Sequence, residues 1–310
     1  MRPGLQVVVL MGGVSNEREI SMESGKAVAE GLRSVGLGVR EVVVTDRRLS
    51  AMAEVRCDVA FIALHGPFGE DGGVQAILEA QDIPYTGSGV AASMRAMDKV
   101  LSKEIFQARG IPTAAYEVVN GKADLRVLGK LGRKLRYPMA VKPAREGSSL
   151  GVSIVHDRDE LVQAVEVAGT FGPVSIVEKY VKGRELTVGI LGEATLPIIE
   201  LKPKHAFFDF AAKYEDGVTE YVIAPELADD VSAKVASTAL AAFRALGCTG
   251  FGRVDMVLTE GNEPCVLEVN TIPGFTRHSL VPMAAEAAGI EFPELCGRIV
   301  ELALEEAGRI

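Results

Sequence analysis

Residues 252–270 constrain the fold more than any other stretch of the chain. Gly252-Arg253-Val254-Asp255-Met256-Val257-Leu258 and Pro264-Cys265-Val266-Leu267-Glu268-Val269-Asn270 flank the turn signal Glu260-Gly261-Asn262. Two runs rich in β-branched and apolar residues around such a turn close into an antiparallel hairpin. Side chains two apart share a strand face, so Arg253 and Asp255 point one way together, as do Glu268 and Asn270. A hairpin centred between residues 261 and 262 sets Asp255 opposite Glu268 and Arg253 opposite Asn270. Two carboxylates directly across a ladder repel. A hard divalent cation between them removes the repulsion, because carboxylate and amide oxygens are the donors Mg²⁺ takes. A merely solvated face of a hairpin interleaves Lys or Thr and does not stack Asp, Glu and Asn. The ligand chemistry therefore favours a cation at Asp255, Glu268 and Asn270.

The rest of the chain supplies the frame for that hairpin. Leu5–Met11 is an apolar run broken only by Gln6, as in a strand buried on both faces. Ser21–Val35 carries apolar and small residues at helical spacing and is stopped by Gly36, and Val39–Val44 and Val59–Leu64 read as further strands. This alternation predicts a small α/β domain with a parallel sheet over residues 1–88. A helix is predicted from about Val90 to Gly110, with strands at Tyr137–Lys142, Gly151–Val155 and Ser175–Glu178 and a helix from about Asp159, giving a second unit over 89–181. Strands at Glu185–Leu191 and in the hairpin, a helix near Asp229–Leu246 and a closing helix from about Pro293 make a third unit, 182–310. At 310 residues the chain is too long for one core, which agrees with several domains.

Composition narrows the function. A net charge of −9 argues against an extended nucleic-acid or anionic-membrane surface. The four cysteines and four histidines are scattered without CxxC spacing, which disfavours zinc and points to reduced thiols in the cytoplasm. The Leu5–Met11 run is too short to span a membrane and no small-residue cleavage site follows it.

Two stretches have the composition of phosphate loops. Lys142-Pro143-Ala144-Arg145-Glu146-Gly147-Ser148-Ser149-Leu150-Gly151 lies between two β-type runs and offers backbone N–H groups and hydroxyls to an anion. Its lysine precedes the loop and a strand follows it, so it is not a P-loop, and a plain β-turn is the reading for such a loop standing alone. Gly87-Ser88-Gly89-Val90-Ala91-Ala92 fits GxGxxA, but Pro84 interrupts the preceding strand and no acidic residue falls at the spacing a dinucleotide site needs. It reads as a turn between domains.

Taken together, the motifs resemble those of the D-alanine–D-alanine ligases of the ATP-grasp superfamily, almost end to end. The resemblance rests on Gly12-Gly13-Val14-Ser15-Asn16-Glu17-Arg18-Glu19, His65-Gly66-Pro67-Phe68-Gly69-Glu70-Asp71-Gly72, Met97-Asp98-Lys99 and Arg145-Glu146-Gly147-Ser148-Ser149. It continues through Ala212-Lys213-Tyr214, the hairpin, Glu268-Val269-Asn270-Thr271-Ile272-Pro273-Gly274 and His278-Ser279-Leu280-Val281-Pro282. It implies a three-domain ATP-grasp architecture of α/β (α+β) class that joins two D-alanines through an acyl phosphate for peptidoglycan synthesis, in a cytoplasmic homodimer. ATP and two ions of Mg²⁺ or Mn²⁺ are the implied cofactors. Lys99, Lys142, Lys213, Ser148 and Ser149 are implied around the phosphates, Glu178, Lys179 and Val181 at adenine, and Glu185 at the ribose. Glu17 would pair with the first D-alanine's ammonium, with His65 nearby; Ser279 and Leu280 would hold the second's carboxylate. Arg253 and the Gly274 N–H would stabilise the oxyanion.

Bland readings stand beside some of these. Glu17 opens a helix, where an acidic residue favours the dipole, and His65 follows a buried strand as a core histidine can. Phe207, Phe208 and Phe210 are expected to pack down the loop over 206–217. Ser148 and Tyr214 are implied to tie that loop to Glu17. Retention of Tyr214 favours the dipeptide over the alternatives, a D-alanine–D-lactate or D-serine ligase.

Overall fold

The structure, a computed structural model, describes residues 4–52, 55–121, 124–203 and 219–309. The first sheet is parallel, with strands β1 (Gln6–Gly12), β2 (Gly38–Val44) and β3 (Val59–Ile62) in the order β2-β1-β3. Val7, Val9 and Met11 of β1 enter one core cluster and Val8 and Leu10 another, so both faces are covered from Val7 to Met11, and the polar residue of the run, exposed Gln6, stands at the start of the strand. Helix α1 (Arg18–Ser34) crosses from β1 to β2, and Gly25 lets it lie directly on the sheet. A Cβ there would sit 2.4 Å from Met11 Cβ. Helix α2 (Gly73–Ala80) follows β3.

The expected helix over 90–110 is two helices, α3 (Val90–Met97) and α4 (Lys99–Ala108). Asp98 breaks it. Its backbone is extended and its carboxylate accepts from the Val100 and Leu101 N–H groups at 3.0 and 3.1 Å, capping α4. An aspartate offers its own backbone this alternative to a continuous helix, and here the cap prevails over the apolar periodicity. The GxGxxA stretch is a turn between domains: Gly87 has φ +88° and faces Phe251 and the Thr271 carbonyl.

A second, antiparallel sheet holds β4 (Tyr116–Asn120), β5 (Met139–Pro143), β6 (Ser153–Val155) and β7 (Val174–Lys179) in the order β4-β7-β5-β6. Helices α5 (Leu125–Leu135) and α6 (Arg158–Gly169) bury their apolar faces against it. The third sheet runs β11-β10-β8-β12-β13, from β8 (Gly183–Leu191), β10 (Ile199–Pro203), β11 (Thr219–Ile223), β12 (Phe251–Thr259) and β13 (Pro264–Asn270). The short β9 (Ala194–Thr195) pairs with β8. Helix α7 (Asp229–Ala245) covers it, and α8 (Leu280–Ala287) and α9 (Phe292–Glu306) return to the first sheet. Phe61, Phe251, Phe275 and Phe292 stack at centroid separations of 5.4–6.3 Å and join β3, β12 and α9 in one core.

Candidate active site

The hairpin of β12 and β13 has the register expected from its turn: Arg253 pairs with Asn270 and Asp255 with Glu268. Immediately beyond, the register slips, with Met256 opposite Val266. Leu267 is thus an extra residue, a β-bulge. Strict alternation would send Leu267 and Glu268 to opposite faces. The bulge instead lets both line one cleft while Val266 and Val269 stay in the core.

Two adjoining clefts share Lys99, Glu146 and Glu268 as a common wall. The larger, about 350 Å³, is lined by Glu17, His65, Ser148, Arg253 and Asn270, and by Gly274, Ser279 and Leu280 from the approach to α8. The smaller, about 140 Å³, lies between the second and third sheets and is lined by Lys142, Ser149, Glu178, Lys179, Val181, Glu185 and Asp255. Every site residue named from the sequence falls on one or the other, except Lys213 and Tyr214, which lie outside the described residues with Phe207, Phe208 and Phe210.

The loop after β5 forms the lip of both clefts. Ser148 and Ser149 have φ +50° and +58°, the left-handed region that costs a non-glycine residue of order 1–3 kcal/mol. The conformation is held from outside. The Ser148 hydroxyl donates to Glu17 Oε1. Lys99 Nζ donates to the Glu146 carbonyl at 2.6 Å, and Arg145 Nε to Asp98 Oδ2 at 2.8 Å. The helix break at Asp98 therefore also anchors this loop.

Both hairpin carboxylates face internal cations. Arg253 forks onto Asp255, Nε–Oδ1 2.8 Å and Nη2–Oδ2 2.7 Å, and Lys99 Nζ stands 3.3 Å from Glu268 Oε2. Thr187 on β8, opposite Asp255, donates to its Oδ1 at 2.6 Å. Asn270 Oδ1 accepts from the Ile272 N–H at 3.0 Å. The three side chains offer oxygen donors along the shared wall, Asp255 from the smaller cleft, Asn270 from the larger and Glu268 on both, a set that fits a hard divalent cation, which would take over the charge balance that Lys99 and Arg253 now supply.

His65 is buried and satisfied. Its Nδ1–H donates to the Ile272 carbonyl at 3.0 Å, which fixes the tautomer, and Nε2 accepts from Ser24 Oγ at 3.1 Å. Ser24 Oγ in turn accepts from the Phe275 N–H at 3.1 Å. The ring thereby pins the 272–275 turn, and with it Gly274, to α1.

At the smaller cleft Glu178 is buried between two ammonium groups, Lys142 Nζ at 3.0 Å from Oε2 and Lys103 Nζ at 3.3 Å from Oε1. Burial alone would push the Glu178 carboxyl up; Lys142 and then Lys103 reverse this and hold it below its ordinary value. Burial pulls Lys142 down, but Glu178 more than offsets it and the net shift is upward. Lys103, Thr187 and Leu267 escaped the sequence reading. Lys103 lies four residues after Lys99, hence on the same helix face, which is a usable signal; Thr187 and Leu267 depend on a partner strand and a bulge.

The comparisons decide the family. A family model described as the D-ala D-ala ligase C-terminus matches residues 105–301, and one described as its N-terminus matches residues 40–88. The chain belongs to the D-alanine–D-alanine ligase family. A relative named D-alanine–D-alanine ligase from Pelotomaculum thermopropionicum is 42% identical over 312 residues, 98% of each chain. The crystal structure of the ligase of that name from Bacillus anthracis superposes with a TM-score of 0.89 at 37% identity, covering 98% of this chain and 99% of that one. The structure of that ligase complexed with ATP gives 0.88 at 34% identity, with the same coverage. This is the ATP-grasp architecture.

Proposed function

We propose that this chain joins two D-alanine molecules to D-alanyl-D-alanine with hydrolysis of ATP to ADP and phosphate, for peptidoglycan precursors, as a cytoplasmic homodimer of three domains, 1–88, 89–181 and 182–310. All four cysteines are free, in keeping with a reducing compartment. Among the described residues no helix is long and apolar enough to cross a membrane. The observation that carries the reading is the shared wall: one carboxylate, Glu268, faces both a cleft lined by Glu17, Arg253 and Ser279 and one lined by Lys142, Glu178 and Glu185.

ATP occupies the smaller cleft, with adenine at Glu178, Lys179 and Val181, ribose at Glu185, and phosphates at Lys99, Lys142, Ser149 and Lys213. Asp255, Glu268 and Asn270 would hold Mg²⁺ or Mn²⁺, two ions per site, which supply positive charge to the triphosphate. Glu17 takes the ammonium of the first D-alanine and orients its carboxylate toward the γ-phosphate. Attack there brings anions together, so the chain's own cations, Lys142 and Arg253, must neutralise charge and fix geometry. The products are ADP and D-alanyl phosphate. Ser279 and the first N–H groups of α8 suit the carboxylate of the second D-alanine, since a helix N-terminus favours an anion. Its amine attacks the acyl carbon, Arg253 and the Gly274 N–H stabilise the oxyanion, and inorganic phosphate leaves. Ser148 closes the lip through Glu17, and Tyr214 joins that closure.

A coupled assay of ADP release tests this with D-alanine alone and with D-serine or D-lactate as second substrate. ADP release that needs D-alanine and a divalent cation is expected. Faster turnover with D-lactate or D-serine near neutral pH would reassign the product. Asp255→Ala with Glu268→Ala should abolish ADP formation with the fold intact, and retained turnover would move the cation elsewhere.

A further inference from the structure

Lys103 is fully buried and lines neither cleft, yet it bears on the smaller one through one carboxylate of its wall, Glu178. Its ammonium donates to Thr113 Oγ1 at 2.6 Å, lies 3.3 Å from Glu178 Oε1 and sits 5.8 Å above the Tyr116 ring centroid. Thr113 passes the contact on to the Val266 carbonyl at 2.8 Å, just before the bulge. Fully buried lysines are rare, and one kept charged must serve a partner.

The partner's situation explains the need. Glu178 is 2% exposed, with one oxygen facing Lys142 and the other Lys103. Lys142 lines the nucleotide cleft and is the lysine that a bound phosphate would draw away. A buried carboxylate that lost its only counter-ion would take up a proton. As a neutral acid it would have one O–H to donate and less capacity to accept. Burial pulls the Lys103 ammonium down and Glu178 opposes this; Lys103 lines neither cleft, so no bound phosphate draws it from Glu178, and withdrawal of Lys142 removes a cation that disfavours its charge.

We infer that Lys103 is a positioning residue that keeps Glu178 ionised and oriented as a hydrogen-bond acceptor while nucleotide is bound, and so sets the preference for a purine bearing a 6-amino group. This rests on the reading that Glu178 meets adenine. The buried set is two cations to one anion, so Lys103→Met leaves a neutral Glu178–Lys142 pair and no orphan charge in the core. Methionine also matches lysine's unbranched stem.

The test is titration of ATP and of inosine triphosphate, which carries a 6-oxo group, into wild type and Lys103→Met. Wild type is expected to favour ATP. In Lys103→Met the Kd for ATP should rise about 10- to 100-fold, the worth of a hydrogen bond to a charged group. The Kd for inosine triphosphate, the KM for D-alanine and the unfolding midpoint should stay near wild type. A variant that keeps the wild-type ratio of the two nucleotides, or loses both equally, overturns the assignment. Wild type without preference for ATP removes Glu178 from adenine instead, and the proposal with it. Lys103→Gln, which keeps a neutral donor, is read in the same way should methionine not fold.

Discussion

Arg253→Lys separates the fork of Arg253 from its charge. Arginine has five N–H donors in a rigid plane, and two of them are on Asp255 at 2.8 and 2.7 Å. Arg253 also lines the larger cleft, together with Gly274. Lysine retains one positive charge but has three donors on a single nitrogen. It cannot grip both Asp255 oxygens and an oxyanion in a fixed plane. Loss of one oxyanion donor lowers kcat by about 10²–10³-fold, roughly 2.7–4 kcal/mol of transition-state stabilisation. The fold should change less, because Asp255 keeps the Thr187 hydrogen bond and a flexible ammonium. Steady-state ADP release with D-alanine and ATP each varied gives kcat and both KM values, and thermal unfolding gives the fold. A kcat within about fivefold of wild type, with the fold intact, would refute the role assigned to the fork.

Three further perturbations test other links. Gly25→Ala adds a Cβ 2.4 Å from Met11 Cβ, and neither atom can swing away. Overpacking of about 1–3 kcal/mol or more then exceeds the gain of about 1 kcal/mol in helix propensity, so the denaturant midpoint should fall at unchanged slope; a rise would mean that α1 stands off the sheet. Glu268→Gln should weaken Mn²⁺ uptake, followed by titration with a non-hydrolysable ATP analogue present, about tenfold or more; unchanged uptake would place the cation away from β13. The acid limb of stability follows from Glu178 and Glu200, both held below their ordinary 4.5, the first by Lys142 and Lys103 against burial, the second by its hydrogen bonds from Arg184. A depressed carboxyl contributes stability that is full above pH 4.5 and is lost as pH falls through the folded value. The unfolding midpoint should therefore hold from pH 7 to about 5 and decline below 4.5, with Glu200→Gln flattening the decline; an equal slope in that variant would assign the acid limb to other groups.

What could be read in the sequence was what local physics settles. From Val7 to Met11 β1 is buried on both faces and wholly apolar, so its burial shows in the letters themselves. The hairpin register follows from a turn that joins the two strands directly, and Asp255 opposite Glu268 needed only counting from that turn. The break at Asp98 was also local, but two signals competed there: the apolar periodicity of 90–110 continues across a residue whose side chain caps the next helix. Thr187 and Lys103 were hidden because their meaning comes from segments far along the chain. Thr187 becomes a partner of Asp255 only when β8 pairs with β12, and Lys103 becomes an ion-pair partner only when α4 packs on β7.

The bulge at Leu267 shows what counting cannot supply and why the site needs it. With strict alternation, β13 could present Glu268 to the ligand side only by turning Leu267 into the core. The smaller cleft would then lose the apolar side chain beside its charged wall, keeping Leu186, Leu201 and Met256 elsewhere in its lining. One extra residue puts an apolar and a charged side chain next to each other on the same cleft, as binding a flat base beside a triphosphate requires. The slip falls between Asp255 and Met256, so the pairing of the two carboxylates is left intact on one side and broken on the other. A deletion of Leu267 would restore the ladder, with Val266 still opposite Met256 and followed directly by Glu268 opposite Asp255. It should therefore favour sheet regularity while separating the nucleotide contact from the cation contact. ATP affinity that survived the deletion would show that the bulge serves the sheet alone.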